Sequence, residues 1–141
     1  MSRHASVSDH FAAVPMFAAC TKKELQAVAR LSTEREVPAG KELTREGQPG
    51  REFVIVLEGT AVATRRGRKL ATLGPGDYFG EIALLDPGER TATVTADTPM
   101  TLAVVTWGEF DQMLVDVPAL GHKIMQGLAR QIRELSSGEI V

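Results

Sequence analysis

The chain has 141 residues, of which 43% are hydrophobic and 24% charged, with a formal net charge of −2. This suits one globular domain with a real core, and it excludes an overall basic field of the kind that holds nucleic acid. Cys20 is alone, so no internal disulfide is expected and a reducing cytoplasm is the default compartment; no run approaches the roughly 20 apolar residues of a bilayer span, and Met1-Ser2-Arg3-His4 lacks the apolar core of a secretory signal.

In chain order, residues 1–6 are expected to be disordered, followed by a short helix or turn over Val7–Val14. Pro15 interrupts it, and Met16 and Phe17 supply apolar anchors. Thr21 and Glu24 have the spacing of a capping box, so a second helix should start there, with Leu25, Val28, Ala29 and Leu31 at helical steps. From Glu34 the pattern changes to short apolar alternations punctuated by glycines from Gly40 to Gly76. Phe53–Leu57 is strongly β-forming, and Thr60–Thr64 and Lys69–Leu73 flank Arg65-Arg66-Gly67-Arg68, which reads as a solvated hairpin tip. Thr91–Ala96 and Met100–Thr106 predict two more strands around Asp97-Thr98-Pro99. Strands at such short spacing indicate a sandwich or barrel.

After Trp107 the helical period returns. A short helix is predicted over Glu109–Val115, and a longer one has Pro118 in its first turn, where proline is tolerated. Along it Leu120, Ile124, Leu128, Ile132 and Leu135 follow three- and four-residue steps, and apolar residues on more than one side of helix 117–135 predict a dimer.

The segment with most chemistry runs from Phe79 to Val94. A glycine, Gly80, leads into a short apolar helix, Glu81-Ile82-Ala83-Leu84-Leu85, and Arg90 follows after a loop. The amides of a first helical turn suit an anion, a glycine lets the backbone approach closely, and arginine brings a permanent charge with paired donors. Glu81 repels a phosphate but accepts a hydrogen bond from a sugar hydroxyl. Together these groups describe a site for a nucleotide with one phosphate on its own ribose.

The pattern F-G-E-(apolar)-A-L-L, then R-(small)-A-T-V, is present here as Phe79–Leu85 and Arg90–Val94. It resembles the phosphate-binding cassette of the cyclic nucleotide-binding domain family, which includes catabolite activators, protein kinase A regulatory subunits and cyclic nucleotide-gated channels. The resemblance covers about residues 12–136. It implies an α+β, mainly β fold: an eight-stranded antiparallel β-roll at about 34–106, flanked by N-terminal helices and by C-terminal B and C helices at about 107–136. Residues 1–11 would be a tail and the start of the first helix, and 137–141 a second tail.

The same resemblance implies cAMP or cGMP as regulatory ligand, with Glu81 on the ribose 2′-hydroxyl and Arg90 on the phosphate. Phe79, Gly80, Ile82, Ala83 and Ala92 would sit around the cassette, with Ile82 and Ala83 offering backbone groups. Thr91 lies near phosphate and purine and leaves the base open, since its hydroxyl serves either nucleotide. Ala61, Leu70 and Ala71 would line the base and ribose. Leu128, Gln131 and Leu135 would cap the base from a C-terminal lid helix; catabolite activators carry arginine and threonine where Gln131 and Leu135 stand here, which unsettles that base-reading pattern.

The function so implied is a sensing module whose ligand repositions its last helix. The alternative is a degenerate, ligand-free assembly module. Expected partners are the nucleotide and either a second copy or an effector protein, with no direct nucleic acid and no membrane. Family output modules are not expected within these residues, and a stand-alone domain and a piece of a larger protein are both open. A metal-dependent enzyme on a similar roll would need clustered histidines on strands, whereas His4, His10 and His122 lie outside the predicted strands. Catalysis and metal binding are therefore not expected.

Overall fold

A computed structural model describes the backbone of residues 3–136, with side chains from residue 7 onward. The chain divides into two compact units, Ser32–Asp111 and Met1–Leu31 with Gln112–Val141.

The first unit is built of ten strands: β1 (Thr33–Val37), β2 (Glu42–Thr44), β3 (Pro49–Gly50), β4 (Glu52–Glu58), β5 (Ala61–Arg65), β6 (Arg68–Leu73), β7 (Tyr78–Phe79), β8 (Gly88–Glu89), β9 (Thr93–Ala96) and β10 (Met100–Thr106). They form a sheet of order β1-β10-β4-β7, a second of order β2-β9-β5-β6, and the separate pair β3-β8. Every pairing is antiparallel.

The alternation that marked these strands becomes a shared core. Val54 and Val56 of β4, Ala61 and Ala63 of β5, Val94 and Ala96 of β9, and Met100, Leu102 and Val104 of β10 are buried in one cluster. Successive strand residues point to opposite faces, so each strand contributes every second side chain. Both faces of β10 are buried up to Val105, which fits its nearly continuous apolar sequence.

The architecture is mainly antiparallel β with helices, as expected, but it contains ten strands rather than eight. Three of the ten, β3, β7 and β8, are two-residue ladders, too short to carry a hydrophobic period. The predicted strand at Thr91–Ala96 begins only at Thr93.

In the second unit, α1 (Arg3–Ala12) is followed by a 3-10 turn at Pro15–Phe17 and by α2 (Lys22–Ala29). The helix starts before Val7, against the expected disorder of residues 1–6, because nothing in Arg3–Ser6 is a helix breaker. Residues 1–2 and the predicted tail 137–141 lie outside the described residues. Thr21 and Glu24 form the expected capping box, with reciprocal bonds of 3.2 and 2.7 Å. The rings of Phe11 and Phe17 meet edge-on at 5.3 Å.

Helices α3 (Trp107–Asp116) and α4 (Pro118–Leu135) close the chain. Thr106 caps α3 by accepting from the Glu109 amide. On α4, Leu120, Ile124 and Gly127 are buried, and a side chain at Gly127 would collide with the Met16 carbonyl. Lys123 pairs with Glu24 at 3.3 Å, tying α4 to α2. Three other apolar residues of α4, Met125, Ile132 and Leu135, are 59%, 54% and 81% exposed.

Candidate functional site

The site is a cavity of about 700 Å³ within the β unit. Its wall begins where β7 ends. Gly80 takes φ +83°, a left-handed conformation that favours glycine, and this turns the chain into a 3-10 helix, Glu81–Leu84. Ala83 and Leu84 are buried and anchor that helix, while Ile82 is 52% exposed. The Ala83 amide donates to the Gly80 carbonyl at 3.0 Å. That leaves the Glu81 and Ile82 amides as the donors of this turn, and takes one from the set suggested by the sequence.

Arg90 reaches the cavity from the opposite side of the loop. Its Nη2 donates to the Glu52 carbonyl at 2.8 Å. The guanidinium threads between two glycines: a Cβ on Gly50 would collide with its Nε and Cδ, and one on Gly80 would collide with its Nη1. A side chain at Gly50 would displace that of Arg90, and one at Gly80 would meet the Glu52 carbonyl as well. Burial holds the Arg90 guanidinium below its ordinary range, and the nearby Glu52 opposes that shift. A half-buried cation in a cavity wall, with donors left over, is a site for an anion.

The backbone carrying Arg90 is held residue by residue. The Arg90 amide donates to Gln48 O at 2.8 Å and its carbonyl accepts from Gly47 N at 2.9 Å. Ala92 O accepts from Thr44 Oγ1 at 3.1 Å. Thr93 Oγ1 accepts from Glu46 N at 3.0 Å.

The cavity brings together Phe79, Gly80, Glu81, Ile82, Ala83, Arg90, Thr91 and Ala92 from the predicted set. Ala61, Leu70 and Ala71 are not in its lining: Ala61 is fully buried in the sandwich core, and Leu70 is 48% exposed on β6. Leu128, Gln131 and Leu135 belong to α4, in the other compact unit.

Sequence reasoning missed Gly50, whose constraint comes from a side chain far along the chain, and the Glu52 carbonyl. It also missed the carboxylates of Asp77, Asp86 and Glu89, which line the cavity with Thr44, Leu73, Tyr78 and Val94. Burial first, then the charge of Glu81, raises the Tyr78 hydroxyl above its usual value. Among the described residues no group of three or more His, Cys, Asp or Glu is placed to hold a metal ion, and no helix is long and apolar enough to cross a membrane.

The fold is an antiparallel sandwich with a cavity that pairs a glycine-opened helical turn with a half-buried arginine. Residues 34–116 match the cyclic nucleotide-binding domain family, and the chain belongs to it. It is 30% identical over 128 residues to the CRP-like cAMP-activated global transcriptional regulator of Mycobacterium tuberculosis, covering 87% of this chain and 54% of the relative. It is 37% identical over 111 residues to a cAMP-dependent protein kinase regulatory subunit of Yarrowia lipolytica, covering 77% of this chain and 29% of that one. The N-terminal domain of a transcriptional regulator from Streptomyces coelicolor superimposes with a TM-score of 0.84 at 30% identity, covering 94% of this chain and 99% of that one. The chain thus spans about half the length, or less, of the two curated relatives.

Proposed function

We propose that this chain is a cyclic nucleotide sensor that takes cAMP or cGMP in the cavity between Gly80 and Arg90. The supporting observation is the Arg90 guanidinium, threaded past Gly50 and Gly80 into a cavity it shares with the Glu81–Ala83 turn. A cyclic phosphodiester has one negative charge, which Arg90 and the Glu81 and Ile82 amides meet. Glu81 takes the ribose 2′-hydroxyl. The apolar side chains of Leu73, Ile82 and Val94 receive the less polar part of the ligand, and Leu70 and Ala71, exposed along β6, extend that surface toward the base. Thr91 serves either nucleotide.

The output in this reading passes through α4, with Leu128, Gln131 and Leu135 closing over the base. Ligand that binds the closed state better shifts the population toward it. The same helix supports self-association. Met125, Leu128, Ile132 and Leu135 follow three-, four- and three-residue steps, the seam of a two-stranded coiled coil, and three of the four are more than half exposed. We place the dimer contact there. The regulator relatives are consistent with a non-enzymatic role.

Side-by-side calorimetric titration with cAMP and cGMP, followed by hydrogen exchange of α4 with and without ligand, tests this reading. Saturable binding of at least one nucleotide with slowed exchange in 117–135 is expected. No binding of either contradicts it and favours the assembly-module alternative.

A further inference from the structure

The tip of the β5–β6 hairpin is more than a solvated turn. Arg65 pairs with Arg68 across a two-residue loop, Arg66-Gly67, and both loop residues have positive φ, 52° and 75°. That is the twist of a tight hairpin, and it fixes the direction in which the tip projects. Two bonds tie it to the site. Arg65 Nε donates to the Thr91 carbonyl at 2.7 Å, and the Arg66 amide donates to Glu46 Oε1 at 2.9 Å. Glu46 in turn holds Thr93 through its own amide.

Residues 90–93 are therefore all held by polar groups from outside the segment: Arg90 by Gly47 and Gln48, Thr91 by Arg65, Ala92 by Thr44, Thr93 by Glu46. Thr91 and Ala92 line the cavity yet lie outside β9, so the sheet ladder does not fix them. Arg65 is the sole long side chain in this set and its bond the one made by a charged group, which is worth more than a neutral one.

We propose that Arg65 is a positioning residue of the anion site: by holding the Thr91 carbonyl it sets the backbone from which Arg90 is presented, without touching the ligand. The proposal rests on the cavity being the nucleotide site. Ordering this segment before binding removes an entropic cost that the ligand otherwise meets.

The test compares the wild-type chain with Arg65→Ala and Arg65→Lys, the latter retaining a cationic donor able to make a single bond. Three quantities are read: hydrogen exchange of the 90–93 amides without ligand, affinity for cAMP and cGMP, and the thermal midpoint. Arg65→Ala is expected to speed exchange at 90–93 and to weaken both nucleotides by about three- to tenfold, the scale of one exposed charge-assisted bond. Its midpoint should stay unchanged, and Arg65→Lys should recover most of the affinity. Unchanged exchange with unchanged affinity overturns the proposal. Weakened affinity with unchanged exchange also overturns it, since Arg65 would then meet the ligand itself. A lowered midpoint with faster exchange along all of β5 and β6 assigns Arg65 a general structural role, again overturning it. If the wild type binds neither nucleotide, the reading of the cavity falls, while the exchange comparison still decides whether Arg65 holds Thr91.

Discussion

Arg90 owes its place to two residues that have no side chain. Gly80 is needed twice, for its positive φ and for the space its missing Cβ leaves. Gly50 is needed for space alone, since its φ is not positive. Gly50→Ala is therefore a clean probe of the cradle: the new methyl drives into Nε and Cδ of Arg90. Overpacking of this kind costs about 1–3 kcal/mol, and the expected outcome is at least tenfold weaker cAMP binding by calorimetry with a lowered thermal midpoint. Wild-type affinity in that variant contradicts the threading of Arg90. Gly80, Glu81 and Arg90 were legible in the sequence because their spacing is short and each residue type has a distinct chemistry. Gly50 was not, because turn glycines abound in this chain and the clash that singles it out arises only once β3 and β8 pair.

At the level of elements, the strands with a full hydrophobic period, β4, β5, β9 and β10, were legible, and so was the capping box that opens α2. The two-residue ladders were not, because two residues cannot show a period of two. Helix α4 shows a different limit. Its sequence presents apolar residues on more than one side, and the fold sorts them: Leu120, Ile124 and Gly127 go inward, while Met125, Ile132 and Leu135 stay out. Which apolar residues find partners is a tertiary fact. If the outer seam joins two copies, Ile132→Glu places like charges opposite each other at its centre. Sedimentation should show a dimer for the wild type and a monomer for the variant, with nucleotide binding retained. A wild type that stays monomeric at high concentration contradicts the seam.

For the whole molecule, ionisation links stability to alkaline pH. Burial, with Glu24 beside it, pushes the Cys20 thiol up from 9.0 to about 11, so the folded chain keeps a proton that the unfolded chain has released. Stability is then fully present below pH 9 and falls as pH rises from 9 toward about 11. Tyr78, raised above 10.0, adds in the same direction. Thermal melts between pH 8 and 11 should show that decline, and it should be shallower in Cys20→Ala; parallel curves would contradict the burial of the thiol. The account as a whole stands on a guanidinium that meets a cyclic phosphate. Titrating cAMP and cGMP into the wild type and into Arg90→Leu measures this most directly. Loss of on the order of 2–4 kcal/mol of binding free energy in the variant, the cost of an unpaired charge, with its fold intact by circular dichroism, is the predicted result. Equal affinity in the two proteins would contradict it.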